Sequence, residues 1–352
     1  MMAGRGALAA GGPARHIPVM LPDVLEALAP RGGQTIVYGT FGVGGYSSAL
    51  LESANCTVYA IDRDREAIAA GASLERQFAP RLALLEGRYS EMQALLGARG
   101  VASVDAVVLD IGVSSRQLGD PGRGFSFQAD GPLDMRMGHS GMTAADVVNQ
   151  LPEADLARVI ATLGEERRAR AIARAIVEAR GEQPLATTAE LARIVAAAAG
   201  HMSGAAGSRI HPATRTFQAL RILVNDELGE LARGLAAAES LLVEGGRLVV
   251  VSFHSLEDRV VKRFIAERAG QTGQVSRHRP EIIDESVPSL RLVGRQVRRP
   301  RAHEIETNPR ARSAKLRVAE RTGAPFWPGD LAPDKLETLG VPDIGDALGA
   351  LK

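Results

Sequence analysis

The sequence is short of cysteine, of long apolar runs and of net charge, and each shortage removes a class of explanation. Cys56 is the one cysteine in 352 residues, so a disulfide framework and a cysteine-based zinc site are both excluded. It lies in the apolar stretch Cys56-Thr57-Val58-Tyr59-Ala60-Ile61, which reads as buried strand rather than as a loop carrying a nucleophile. A reducing, cytoplasmic compartment is expected. No apolar run reaches the roughly 18–20 residues needed to cross a bilayer. Residues 1–15, rich in Ala and Gly, contain no apolar stretch long enough for a signal peptide. They are expected to form a disordered extension, and no membrane partner is expected. Net charge is +1, so any argument for a nucleic-acid partner must rest on local charge. No His, Asp and Glu cluster reads as a metal-ligand set.

What remains is ordinary globular composition, 45% hydrophobic and 24% charged. The chain is long enough for more than one domain at roughly 100–200 residues each. Short β-rich runs alternate with amphipathic helices up to about residue 128: Thr35–Tyr38, Thr57–Ile61, Leu82–Leu85 and Val104–Leu109 read as strands. That alternation implies a parallel sheet covered on both faces. From 129 to 212 the strand signal disappears. Apolar residues there recur at helical spacing through Ala154–Leu163, Ala169–Ala179 and Thr188–Ala199. The α/β pattern resumes with a long helix over about Ala213–Leu242, a strand over Arg247–Phe253, a helix from Leu256 to Arg268 and a last strand over Ala314–Ala319. The simplest organisation is one α/β core, 16–128 and 213–321, interrupted by a helical insertion at 129–212 and followed by a tail at 322–352.

The chemistry-bearing residues fall at strand ends. Strand Thr35–Tyr38 runs into Gly39-Thr40-Phe41-Gly42-Val43-Gly44-Gly45 and then a helix capped by Ser47 or Ser48. A glycine-rich turn before a helix N-terminus lets backbone N–H groups approach a ligand, because no Cβ obstructs them. Asp62 ends the next strand, 18 residues after Gly44, where an acid binds ribose hydroxyls. The turn by itself does not distinguish a pyrophosphate-bearing dinucleotide from S-adenosylmethionine, and an NAD-dependent dehydrogenase is the alternative on these two features. Asp110 follows a fully apolar strand and continues into the small, polar loop Ile111-Gly112-Val113-Ser114-Ser115-Arg116-Gln117. Two strand-end acids and a glycine turn converging on one sheet edge favour a site.

These segments, with Pro18-Val19-Met20-Leu21, Gly131-Pro132-Leu133-Asp134-Met135-Arg136-Met137, His211-Pro212-Ala213-Thr214-Arg215-Thr216-Phe217-Gln218 and Ser252-Phe253-His254-Ser255-Leu256-Glu257-Asp258-Arg259, resemble the 16S rRNA (cytosine-1402-N4)-methyltransferase family (RsmH/MraW). The matches run in order from about His16 to Arg321, whereas a dehydrogenase would share only the first glycine motif. The resemblance implies a class I, Rossmann-like S-adenosylmethionine-dependent methyltransferase core with an inserted helical domain, acting on 16S rRNA of the small ribosomal subunit. It also implies that Gly44, Gly45 and Tyr46 line the methionine and ribose, that Asp62 takes the ribose hydroxyls, that Tyr89 stacks near the adenine, and that Asp110 and Gln117 close the pocket. Many members carry Asp where this chain has Tyr38. The tyrosine is either a tolerated variant or a weakening of cofactor binding, and the second option keeps open a non-catalytic ribosome-assembly factor on the same scaffold.

The Asp/Asn-Pro-Pro-aromatic loop used by DNA amino-methyltransferases is absent, so the N4 target comes from the resemblance and not from spacing. A cytosine-C5 mechanism lacks its cysteine. Asp110 or a nearby backbone carbonyl is the candidate acceptor of the amino proton. His254 reads either as a substrate contact or as part of an ordinary helix start, with Ser255 as the cap. Between Arg291 and Arg301 stand five arginines (Arg291, Arg295, Arg298, Arg299 and Arg301) and no acid, flanked by Arg277, His278 and Arg279 and by Arg310, Arg312, Lys315 and Arg317. Such a loop suits phosphate forks and stacking on unpaired bases. Arg209, His211 and Arg215 extend that surface, the insertion is expected to help clamp RNA, and Glu165-Glu166-Arg167-Arg168 reads as a solvated helix face. Oligomeric state, monomer or dimer, stays open.

Overall fold

The computed structural model describes residues 18–200, 211–271, 287–294, 297–327 and 333–344. The expected extension at 1–15, Arg209, the Arg277–Arg279 run and Arg295 lie outside the described residues. In chain order α1 (Leu21–Leu28) precedes β1 (Thr35–Tyr38), α2 (Gly45–Ser53), β2 (Thr57–Asp62), α3 (Arg65–Phe78), β3 (Leu82–Glu86), α4 (Met92–Gly97) and β4 (Val104–Asp110). Seven helices follow: α5 (Ser115–Gly119), α6 (Ala144–Gln150), α7 (Glu153–Gly164), α8 (Ala169–Glu182), α9 (Thr188–Ala198), α10 (Thr214–Asn225) and α11 (Glu227–Leu241). The chain then returns as β5 (Leu242–Ser252), α12 (Ser255–Arg268), β6 (Leu290–Leu292), α13 (Ala302–Thr307), β7 (Lys315–Arg321) and α14 (Pro333–Thr338).

The strands are apolar on both faces because both faces are covered. Ile36, Tyr38, Val108, Val249 and Val251 enter the core on one side of the sheet. Their immediate neighbours Val37, Val107, Leu109, Leu248 and Val250 enter the core on the other, as a side-chain period of two requires. Among the described residues the sheet order is β3-β2-β1-β4-β5-β7-β6. Strands β1 to β5 are parallel. The parallel arrangement expected from these runs is present, and at one edge β7 runs antiparallel to both β5 and β6. The reason lies in the route of the chain. After α12 has come back down, β6 climbs the outer edge, the arginine-rich segment turns over the carboxyl end of the sheet, and β7 descends between β6 and β5. This is the mixed, doubly wound sheet of class I methyltransferases, with its switch point between β1 and β4, where open α/β sheets bind ligands.

Two helix expectations change. The long helix over 213–242 is two helices, broken at Asp226, which adopts a left-handed φ of 50°. Aspartate tolerates that conformation better than most residues, and neither Gly nor Pro marks the break. Residues Glu165 to Arg168 are not a helix face but the turn between α7 and α8. The helical section packs α7 against both α8 and α10, and α8 against α9. Helix α10, beyond the expected boundary at 212, therefore sits with that bundle. Its core residues Ile160, Ile172, Leu191 and Leu220 are continuous with the apolar layer on the sheet face that carries Val37 and Leu109. No helix among the described residues is long and apolar enough to cross a membrane.

Candidate active site

The carboxyl ends of β1, β2 and β4 open into a cavity of about 380 Å³. Its near side is the glycine-rich turn. Gly39 leaves β1 with its α-carbon so close to Leu109 and Tyr89 that an added Cβ would stand 2.4 and 3.0 Å from them. Gly42 adopts a φ of +57° with space in front of it, and its amide donates to Asp62 Oδ2 at 2.8 Å. Asp62 Oδ1 accepts from the Asp64 amide at 2.9 Å. Burial raises the Asp62 carboxyl above its ordinary value, while these two N–H groups oppose the rise. Each oxygen of Asp62 thus has one backbone partner that shapes the turn and one lone pair left for a ligand hydroxyl.

Gly45, Tyr46, Asp62, Tyr89, Asp110, Gln117 and His254 all line this cavity, so the structure brings most of the sequence-selected residues together. Gly44 does not line it. Its φ of +79° starts α2, and a Cβ there would meet Leu74 and Phe41 instead of a ligand. The expected Ser47 or Ser48 cap is also corrected: Gly44 is the N-cap without a side-chain bond, Ser48 Oγ donates back to the Gly44 carbonyl, and Ser47 is buried. Tyr46 spends its hydroxyl on the Val19 carbonyl and sets its ring 5.3 Å from that of Tyr38. Tyr38, 3% exposed, fills the β1 end with an aromatic pair, and its hydroxyl is hydrogen-bonded with Thr40. Tyr89 packs its ring against Gly234 of α11, where no Cβ would fit. Gln117 Nε2 donates to Asp64 Oδ2 at 3.2 Å, and Arg123 donates to the same oxygen at 2.9 Å. Asp64, which also caps α3, is a cavity residue the sequence analysis missed.

Asp110 is the electrostatic outlier. Its amide donates to Thr40 Oγ1 at 3.0 Å, but its buried Oδ1 has no hydrogen-bond partner. Burial, aided by the nearby charge of Glu257, raises its carboxyl to about 8. Perturbation of this kind in a cavity wall marks functional groups.

The far wall comes from α10, α11 and the start of α12: Gln218, Arg221, Glu227, Glu230, His254 and Glu257. Ser255 is not the cap of α12. His254 is, with Nδ1 accepting from the Glu257 amide at 3.4 Å while Glu257 reaches back to the amides of Phe253 (2.7 Å) and His254 (3.1 Å). Ser255 Oγ and Arg259 instead hold Glu165, which adopts a φ of 50° at the end of α7. That contact latches the helical section to the core beside the cavity. Glu227, His254 and Glu257 bring possible ligand atoms within 4.8 Å of one another. Both Glu227 oxygens, however, already accept from Arg221, at 2.7 and 2.8 Å, and a cationic partner disfavours a metal there.

The arginine-rich segment is less free than its sequence suggests. Arg291 pairs with Glu320, Arg298 with Glu26 at 3.2 Å and Arg301 with Asp23 at 3.6 Å. Arg317 and Lys315 both bind Asp258, at 2.7 and 2.8 Å. The charges read as uncompensated within their own segment are thus largely compensated by acids from α1, α12 and β7. Arg299 and Arg215 are exposed, and Arg310 reaches the cavity mouth at Ser115.

A family model described as the MraW methylase family matches residues 13–322. The chain belongs to the MraW methylase family. Among curated relatives, "Ribosomal RNA small subunit methyltransferase H" of Parvibaculum lavamentivorans is 60% identical over 333 residues, covering 95% of this chain and 96% of that protein. The proteins of the same name from Methylorubrum populi and Rhodospirillum centenum are each 54% identical. The first covers 96% of both chains, and the second 92% of this chain and 98% of its own. This MraW methylase uses S-adenosyl-L-methionine, and the cavity fits it. The turn at Gly42 leaves room for close approach, Asp62 offers free lone pairs for ribose hydroxyls, and the unpartnered Asp110 carboxyl suits a cationic sulfur. Replacing Asp62 with Ala is expected to weaken S-adenosylhomocysteine binding by calorimetry roughly 10- to 100-fold, the loss of one charge-assisted hydrogen bond. An unchanged Kd would remove Asp62 from the cofactor site.

Proposed function

We propose that this MraW methylase transfers a methyl group to N4 of cytosine 1402 in 16S rRNA of the small ribosomal subunit, in the cytoplasm. The observation that carries the reading is the unpartnered Oδ1 of Asp110, a buried acceptor on the wall between the glycine-rich turn and the polar far wall. The names of the relatives support the ribosomal substrate.

When bound, the cofactor supplies an electrophilic methyl on a cationic sulfur. The protein must then present a poor nucleophile, since the lone pair of the cytosine amino group is delocalised into its ring. The backbone of the glycine-rich turn and Asp62 fix the ribose end of the ligand. Phe41, Tyr38 and Tyr46, each no more than 3% exposed, make a dry floor. Asp110 accepts a hydrogen bond from the amino group, aligns its lone pair and takes the proton that the methylated amine must lose. Positioning carries much of the rate, and proton acceptance adds to it. Arg310 at the cavity mouth and the exposed Arg299 and Arg215 are candidate contacts for RNA phosphates, with the latched helical section flanking the cavity.

Transfer of labelled methyl to undermethylated small subunits, followed by nucleoside analysis, tests the reading. N4-methylcytidine is the expected product. Methyl transfer to another base or another atom, or none from the unaltered chain, would refute it.

A further inference from the structure

One arginine outside the cavity reaches the wall that the cofactor meets. Gln117 belongs to that wall and is buried. Its carboxamide is held in one orientation: Oε1 accepts from the Ser114 amide at 3.0 Å, and Nε2 donates to Asp64 Oδ2 at 3.2 Å. Exchanging the oxygen and the nitrogen would set a donor against the Ser114 N–H and an acceptor against a carboxylate.

Arg123 shares that Asp64 oxygen. Its Nη1 donates to Oδ2 at 2.9 Å, and its Nη2 donates to the carbonyls of Arg136 and Met137, both at 3.0 Å. The side chain is largely buried but does not line the cavity. Its seat is fixed. A Cβ on Gly124 would stand 2.2 Å from the Pro132 carbonyl oxygen, so the backbone beside Arg123 packs directly on the segment that follows. The Arg123 carbonyl also accepts from the Met135 amide at 3.1 Å. From the far side Asn225, the last residue of α10, holds the same strap. Its Oδ1 accepts from the Met137 amide and its Nδ2 donates to the Met135 carbonyl, both at 2.8 Å. Met137 is itself a cavity residue. One guanidinium thus joins the loop after β2 to the strap that leads into the helical section.

We propose that Arg123 is a positioning residue for cofactor binding, holding the Gln117 carboxamide in place through Asp64. Asp64 is buried, and its Oδ1 is committed to the Glu66 amide at the start of α3. Oδ2 therefore serves Arg123 and Gln117 together. A buried carboxylate deprived of its cation is costly. The relief available is entry of water or a turn of the Gln117 carboxamide, and either one loosens Gln117. A change at Arg123 is felt through Gln117 and not independently of it. The assignment rests on the cavity being the cofactor site and not on which base is methylated.

The test is a double-mutant cycle read by S-adenosylhomocysteine binding, with Arg123→Met, Gln117→Leu and the double variant. Each single change is expected to weaken binding about tenfold. The double variant is expected to bind within about threefold of either single one, because the two act as a unit. Arg123→Lys keeps a cation against Asp64 and is expected to recover most of the affinity. With undermethylated small subunits as substrate, Arg123→Met should raise the KM for S-adenosylmethionine about tenfold and leave kcat nearly unchanged, since Arg123 touches no reacting group. Melting temperature is followed throughout. Should Arg123→Met not fold, Arg123→Lys takes its place in the cycle, with a smaller loss that disappears in the Gln117→Leu background. Losses that multiply in the double variant, an affinity unmoved by either single substitution, or a fall in kcat at constant KM would overturn the positioning role. Methylation at an atom other than N4 of cytidine would overturn the proposed target and leave the result of the cycle standing.

Discussion

Asp110→Asn is expected to lower the single-turnover rate of methyl transfer roughly 10²- to 10⁴-fold while leaving S-adenosylhomocysteine affinity nearly unchanged. Asparagine keeps the shape and a carbonyl oxygen at the Asp110 position, so base binding suffers little. It cannot take a proton, and the methylated amine must lose one. The same substitution should stabilise the protein without ligand. With its carboxyl raised from 3.8 to about 8 by burial and the Glu257 charge, Asp110 holds a proton in the folded chain that the unfolded chain releases. Its contribution to stability is fully present below the unfolded value and is lost as pH rises through the folded one. Unfolding by urea should therefore show the unaltered protein weakening between about pH 4 and pH 8, with a smaller loss in Asp110→Asn. A variant inactive but more stable near pH 8 is the signature of a functional group held at a structural cost. A variant both active and unchanged in stability would show that Asp110 has neither role.

Arg268→Ala is expected to cost about 3–5 kcal/mol of stability, the usual effect of breaking a buried ion pair from one side. Arg268 is 1% exposed. Its Nε donates to Glu239 Oε2 at 2.8 Å, and its guanidinium lies 4.9 Å from the Phe264 ring centroid and 4.7 Å from that of Trp327. Glu239 also accepts from Ser289 Oγ and the Trp327 amide, and Arg321 reaches the carbonyls of Glu239 and Ser289. The cluster joins α11, α12, the outer edge of the sheet and the segment after β7, away from the cavity. Urea unfolding should show the loss, and turnover per folded molecule should not change. Unaltered stability would mean that solvent or rearrangement satisfies Glu239. A drop in turnover would connect this clasp to the active site.

Much of the frame was legible because burial on both faces leaves a local mark. Strands β1, β2, β3 and β4 are runs of four to seven mainly apolar residues, and Asp62 and Asp110 stand out as the acids that end two of them. Features decided by distant partners were not legible. The break at Asp226 carries no Gly or Pro, and β6 is three residues whose pairing depends on β7. Glu257 lay in a segment that read as an ordinary helix start, and only the fold places it behind His254 and near Asp110. Arginine misled in both directions: its abundance suggested solvent and phosphate, yet Arg268, Arg317 and Arg321 are buried and internally paired. Tyr38 was weighed against a missing acid, while its aromatic partner Tyr46 became visible only in three dimensions.

Proton release on cofactor binding is the most direct measure of whether Asp110 faces the reacting methyl. At pH 7 the Asp110 carboxyl is mostly protonated, and a cationic sulfonium beside it should favour its ionised form. Calorimetry in buffers of different ionisation enthalpy is expected to show S-adenosylmethionine binding to the unaltered protein with release of close to one proton. The neutral thioether S-adenosylhomocysteine should release almost none, and Asp110→Asn should release none with either ligand. Equal release from the unaltered protein and from Asp110→Asn, or no release from the unaltered protein, would contradict the placement of Asp110 at the reacting centre.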